Sequence, residues 1–293
     1  MTDRLILGMA AGGDLRILAA ETTETVEAAR LRSDLSPAAA KSLGQALTGA
    51  ALLARLLDKH VKNQWVTLRF DGDGPLGLLL VEGTVAGNVR GFVSNHTLEA
   101  DVSTKALLGT EGLLTVVRGT PPEGKPYTSQ VRLGAGEVAQ EIARFLALSE
   151  QIPCAMVLGV KLRPAGVVSA GGIVVQAFPH TDPAAIEAME KRLEEIPSLS
   201  SMLESEPIEA VVEKVFEGLN YKAIDPQFNT PIQYHCGCNR ERALGQYAIF
   251  SRTELGEMIE SGEASKAVCQ FCGARYQFTP DELLSIAAKP SES

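Results

Sequence analysis

The chain has 293 residues, 45% of them apolar and 22% charged, with a formal net charge of −9. That is enough apolar chain to build a core without disulfides. The acidic balance argues against nucleic acid as a partner, because phosphate binding needs clustered Lys and Arg, and no apolar stretch reaches the ~20 residues that span a bilayer. The opening "MTDRLILGMAAGGDL" has its apolar run broken by glycines and an Asp, so it does not read as a secretory signal. A cytoplasmic setting with reduced thiols and no membrane partner is therefore expected.

In chain order, "LILGMAAGGDLRILAAETT" reads as two strands around a Gly12–Gly13 turn. "SPAAAKSLGQALTGAALLARLLDKH" reads as a helix, with Ser36 as N-cap and Pro37 at the first helical position. Its small and apolar middle predicts burial on most sides. "QWVTLRFDGDGPLGLLLVEGTVAGNVRGFVSN" alternates apolar and polar residues between Gly and Asp turns, the pattern of a meander. Inside it, "FDGDGPLG" (Phe70 to Gly77) lacks the ending of a phosphate loop and reads as a hairpin turn; Asp71 and Asp73 carry no weight as a cation site. "GEVAQEIARFLALSEQIPCAMVLGVKL" predicts a helix stopped by Pro153 and then an apolar strand. "SAGGIVVQAFP" is another apolar strand.

After Pro179 the character changes. Between His180 and Asn220 there are ten acidic and three basic residues. Asp182 and Pro183 start a helix with Ile186, Met189, Leu193 and Ile196 on one stripe. A second begins near Pro207 with Ile208, Val211, Val212, Val215, Phe216 and Leu219 on one face. Such two-faced helices either pack permanently on the body or act as a detachable cover that stays soluble when released. "DPQFNTP" (Asp225 to Pro231) is turn-rich and reads as a linker. The expected fold class is α+β: a large mixed sheet-and-helix domain over residues 1–180, an acidic amphipathic helical linker over 181–230, and a small four-cysteine zinc module over 231–293.

That last module holds four of the five cysteines. Cys236 and Cys238 form a C-x-C pair; Cys269 and Cys272 form a C-x-x-C pair thirty residues on. In a reducing compartment, paired cysteines read as metal ligands or redox centres. Four thiolates complete a tetrahedral zinc shell with no open position, which suits structure rather than Lewis-acid catalysis. One zinc ion per chain in the reduced state is expected, with Cys236, Cys238, Cys269 and Cys272 as ligands. His235 is an alternative ligand of low weight, and Cys154 in "IPCAMVLGV" reads as a small core residue. No G-x-S-x-G, no His-Glu-x-x-His and no other catalytic constellation is present, so the chain does not read as an enzyme.

Two uses of such a module remain: a constitutive zinc-ribbon adaptor, or a redox switch. From Pro231 to Pro280 five basic residues face five glutamates, and a neutral module is a poor phosphate binder. Each cysteine pair is close enough in sequence for a local disulfide. Two such bonds use up every ligand while leaving the long loop untied, so oxidation would loosen the module. Thiol oxidoreductase chemistry at Cys269–Cys272 is disfavoured, because no thioredoxin-like βαβ context surrounds it.

Taken together, "LSPAAAKSLGQALTGAALLA", "GDGPLGLLLVEGTVAGNVRGFV", "AGGIVVQAFP" and above all "CGCNRERAL" with "CQFCGARYQF" closely resemble the 33 kDa heat-shock chaperone family, the redox-regulated holdases of bacteria. The resemblance covers nearly the whole chain. It departs at Asn239, where Ser is frequent, at Arg32-Ser33, and at Leu43-Gly44-Gln45; none of these is a ligand position. What the resemblance implies is an inactive zinc-bound form. Oxidation pairs Cys236 with Cys238 and Cys269 with Cys272, ejects zinc, and unfolds the module and its linker. The product, a homodimer, would bind unfolded or partly unfolded client proteins without ATP.

Overall fold

In the computed structural model, residues 2–57, 61–98, 107–119 and 125–287 are described. His60, at the end of the stretch read as a long helix, and the last residues of the expected zinc module, 288–293, lie outside them. The chain divides into two compact units, with the boundary between His235 and Cys236.

The first unit is built on two sheets. β1 (Arg4–Ala10) and β2 (Leu15–Glu21) flank the Gly12–Gly13 turn, as the glycines require: Gly12 sits at φ 72°, a region open to Gly without cost. β2 then pairs with β9 (Gly166–Ala177), and β9 with β8 (Cys154–Arg163). The short strands β10 (Lys222–Ala223) and β11 (Thr230–Pro231) both join the free edge of β1. The second sheet runs β12–β5–β4–β3–β6–β7. Its strands are β3 (Trp65–Gly72), β4 (Leu78–Thr84), β5 (Asn88–Val93), β6 (Gly112–Gly119), β7 (Tyr127–Arg132) and β12 (Gln233–Tyr234). Every pair is antiparallel except β12 with β5. "FDGDGPLG" turns the β3–β4 hairpin. There Asp71 is bonded to Arg69, and Asp73 Oδ1 accepts the Glu111 N–H at 3.0 Å, so both carboxylates have partners within the turn region.

Helix α1 (Thr23–Ser33) leads into α2 (Pro37–Ala54), which lies between the sheets. Ser36 Oγ accepts the Ala39 N–H and Pro37 opens the helix, as the sequence predicts. α2 packs on β2, β8 and β9 on one side and on β3, β4 and β5 on the other. That placement explains a helix apolar all round. Where α2 crosses β4, a Cβ on Gly83 would lie 2.5 Å from the Ala50 carbonyl oxygen, so the backbone approach demands Gly. Buried Thr48 bonds to Thr22 Oγ1 and to the Gly44 carbonyl, which satisfies a polar group in this apolar layer. α3 (Val138–Ser149) follows and stops before Pro153, as expected.

β9 is buried along almost its whole length because both faces of its sheet are covered. α2 takes one face. The acidic stretch takes the other, folded as α4 (Pro183–Glu194), the short α5 (Leu199–Leu203) and α6 (Ile208–Val215). Met189, Leu193, Leu199, Leu203, Ile208, Val211, Val212, Val215 and Phe216 form one buried cluster with Ile6, Ala10, Leu15, Ile17, Ala19, Ile173, Val175 and Ala177 of the sheet. Asp182 caps α4 through the Ala184 N–H at 2.9 Å, and the apolar stripe of α6 falls on the residues expected. Two details differ from the sequence reading. The stripe is interrupted by α5, and α6 ends at Val215 rather than continuing to Leu219. "DPQFNTP" is not a free tether: its end forms β11, with Thr230 opposite Leu5.

The exit from the cover is stitched down at many points. Tyr221 lies over Gly8, where a Cβ would meet its ring at 2.2 Å. Burial pushes its hydroxyl up to about 12. The Ile224 and Ile232 N–H groups donate to Leu7 and Asp3, and the His235 N–H donates to Val89.

Candidate metal centre

The second unit folds around few side chains. Ala243, Tyr247, Leu255, Phe278, Leu283 and Ile286 form its buried cluster. They come from α7 (Arg240–Gly245), the turn after it, α8 (Arg252–Glu260), β14 (Arg275–Phe278) and α9 (Pro280–Ala287). So small a core contributes little stability of its own.

The two cysteine pairs sit at the ends of separate local structures. Cys236 and Cys238 precede α7. Asn239 caps that helix, its Oδ1 accepting the Arg242 N–H at 2.8 Å, and Arg242 reaches back to the Gly237 carbonyl at 2.9 Å. Asn239 is thus a residue type well suited to its cap position. Cys269 and Cys272 lie in the turn between β13 (Ser265–Val268) and β14. The turn is closed by Cys269 N–H to the Ala274 carbonyl and Gly273 N–H to the Cys269 carbonyl. Gly273 has φ 71°, a conformation that favours Gly.

These turns bring all four sulfurs within 4.8 Å of one another. Cys236 Sγ is 3.6 Å from Cys269 Sγ, and Cys238 Sγ is 3.3 Å from Cys272 Sγ. A tetrahedron of thiolates around zinc, with Zn–S of about 2.3 Å, has edges of about 3.8 Å, so the donor set and its span fit that ion. All five cysteines are free thiols. His235 and Cys154 are not in the cluster. Cys154 is half-buried in β8, its thiol pushed up to about 12 by burial, which leaves it unreactive. Among the described residues, the group able to hold a metal is therefore the one the spacing points to.

Sequence reasoning missed Tyr276. Its hydroxyl donates to Cys238 Sγ at 3.2 Å. That bond draws the Cys238 thiol down to about 7, while burial pushes the Cys272 thiol up to about 12. The only signal for Tyr276 is its alternation with Phe278 along β14. Arg240 holds the far side of the unit together. It forks onto Glu282 at 2.7 and 2.9 Å and stacks 4.8 Å above the Phe278 ring.

The Hsp33 protein family profile matches residues 3–279. The chain belongs to the Hsp33 family. Among its relatives, the 33 kDa chaperonin of Thermus thermophilus is 40% identical over 298 residues, covering 98% of this chain and 87% of that protein. The 33 kDa chaperonin of Symbiobacterium thermophilum is 38% identical, covering 98% and 97%. The crystal structure of the Thermotoga maritima 33 kDa chaperonin superposes with a TM-score of 0.84 at 31% identity, covering 98% of both chains. The α+β fold and the family resemblance read from the motifs are both borne out. The Hsp33 family is a family of chaperones, not of enzymes. Among the described residues no helix is long and apolar enough to cross a membrane.

Proposed function

We propose that this protein is a redox-controlled, ATP-independent holdase of the cytoplasm, inactive when reduced and active when its four clustered cysteines are oxidised. The observation that carries this reading is the meeting of four sulfurs, from segments thirty residues apart, in a unit with a very small core. Zinc, one ion per chain held by Cys236, Cys238, Cys269 and Cys272, supplies when bound a cross-link worth ~10–16 kcal/mol in small zinc peptides.

Oxidation acts on the ligands. Two thiols and one peroxide give one disulfide and two waters, so two peroxides convert the cluster into Cys236–Cys238 and Cys269–Cys272. Each bond joins near neighbours, and neither spans the long loop. The cysteines then offer no thiolate, and the second unit is left with its small apolar cluster. Here disulfide formation lowers stability, against its usual effect. Cys236 Sγ approaches Cys269 Sγ and Cys238 Sγ approaches Cys272 Sγ, contacts that run between the pairs, so a disulfide map is the direct check on which partners join.

Unfolding of the second unit frees the chain at Cys236, one residue past the segment zipped onto β5 and β1. That zipper consists of two-residue strands, which fray at low cost. Its loss loosens α4–α6, and the sheet face beneath them becomes the surface that holds unfolding clients. Each of its larger apolar side chains contributes ~1.5–3 kcal/mol when covered, which gives such a surface a strong tendency to find a new partner. The oxidised form is read as a homodimer, following the family.

Treatment with peroxide at a mild heat-shock temperature tests the reading. Metal content, free thiols and suppression of client aggregation should change together, and sedimentation should report a dimer. Metal release with no gain in suppression would sink the proposal. Activity present in the reduced form and lost on oxidation would instead identify a zinc-ribbon adaptor.

A further inference from the structure

Where the cover crosses the first sheet, three cations and three carboxylates form two ion-pair sites, one on β1 and β2 and one on β8. Arg4 on β1 forks onto Glu209 of α6 at 2.9 and 2.6 Å and lies 3.5 Å from Glu21 on β2. Lys161 on β8 pairs with Glu204, the residue ending α5, at 2.6 Å, and Arg163 pairs with the same carboxylate. Asp3, next to Arg4 in sequence, is occupied by the Glu24 and Thr25 N–H groups. Charges balance over the two sites, but only Glu21 belongs to the sheet; Glu204 and Glu209 arrive with the cover.

The register places the cations at the same end of the sheet, with Arg4 three strands from Lys161 and Arg163. Arg4 lies opposite Glu21, Glu21 opposite Gly171, and Gly171 opposite Gly159. Lys161 and Arg163 follow two and four residues beyond Gly159. They share a strand face with Ala155 and Val157, which pack on the cover's cluster, as Arg4 does with Ile6 and Ala10. Without its cover the face is therefore an apolar field of Ile6, Leu15, Ile17, Ile173 and Val175, with three cations and one carboxylate at one end.

We propose that this vacated face selects client segments that carry carboxylates beside an apolar stripe, acidic amphipathic segments chemically like the cover itself. The inference rests on the holdase reading and names the client class of that surface. The cover shows the pattern that fits: apolar Leu199–Leu203, then Glu204 and Glu209, then the stripe Ile208, Val211, Val212, Val215 and Phe216. A client with lysines at the carboxylate positions would set like charges against Arg4, Lys161 and Arg163 and be rejected.

The test uses full-length oxidised protein and dye-labelled peptides with the sequence of residues 199–216, either native or carrying Glu204→Lys and Glu209→Lys. Fluorescence anisotropy should give about tenfold tighter binding of the native peptide, as expected of a few surface charge pairs, and the gap should narrow with added salt. In oxidised K161Q/R163Q protein the gap should fall below about twofold; R4Q serves as a second variant, with circular dichroism reporting the fold of each. Equal binding of the two peptides by an aggregation-suppressing protein overturns the charge preference alone, and so does an unchanged gap in both variants. Absence of suppression on oxidation overturns the holdase reading, and this inference with it.

Discussion

The two units are held together by different means. The first encloses Phe70, Phe145 and Phe216, with Leu43, Leu47 and Leu52, at below 2% exposure. The second buries a handful of side chains and gathers four sulfurs. The difference teaches where a switch can be placed. A large apolar core cannot be undone by modifying a few atoms, whereas a unit that relies on one thiolate cluster can. The cover lies between these extremes: it shares the apolar cluster of the first sheet, yet it is stitched down by short strands and a few ion pairs.

The largest effect should come from the thiolate cluster. Chelation of the proposed zinc removes up to the ~10–16 kcal/mol such an ion supplies in small zinc peptides, and Cys269→Ser removes a part of it. Hydrogen exchange should then show α7, α8 and α9 losing protection while α2 keeps it. Persistent protection of the second unit would break the contrast, since its apolar cluster would then suffice alone.

A cavity under the cover should have the next largest effect. Phe216→Ala is expected to cost ~3–5 kcal/mol, and it strikes the cover without touching a sulfur. The reduced variant should keep its metal and yet suppress aggregation. If it stays inactive until oxidised, the cover is not what hides the client surface.

Gly8→Ala should have a smaller effect. The added Cβ would meet the Tyr221 ring at 2.2 Å, and overpacking of this kind costs ~1–3 kcal/mol. Faster exchange confined to residues 217–224, with α6 still protected, would separate the stitches from the cover.

Glu209→Gln is the mildest change. The Arg4 guanidinium holds the Glu209 carboxyl below the usual carboxylate range. A depressed carboxylate stabilises the fold above its unfolded value near 4.5 and loses that contribution as pH falls through its folded value. Burial raises Asp3 and Glu21, so their protonation works in the opposite sense as pH falls. Proteolysis of α6 between pH 6 and pH 3 should therefore depend less on acid in the variant than in the parent. The difference, for a pair this exposed, is of order 1 kcal/mol or less. An identical acid dependence would show that the Arg4 pair does not fasten the cover.

The candidate metal centre was legible because ligand chemistry is local in sequence: C-x-C and C-x-x-C each set two donors on one turn. The buried helix α2 was legible from composition, and the caps at Ser36 and Asp182 from residue type and the Pro that follows each. Other features were not. Arg4, Lys161 and Arg163 look like ordinary solvated charges in strands, because nothing near them in sequence names Glu204 or Glu209 as partners. "DPQFNTP" reads as a tether because the strand that its end, Thr230–Pro231, joins lies more than two hundred residues away on β1.

What the sequence determined by itself was the local grammar: which residues start helices, which face of each helix is apolar, and which four sulfurs belong together. Only the tertiary structure decided that the acidic helices lie on the β1–β2–β9–β8 face opposite α2, that Glu204 and Glu209 meet the cations there, and that Tyr276 reaches Cys238. The reason is range. Capping, periodicity and chelate spacing act within a few residues, whereas pairing across a sheet depends on strand order and register, which long-range burial selects.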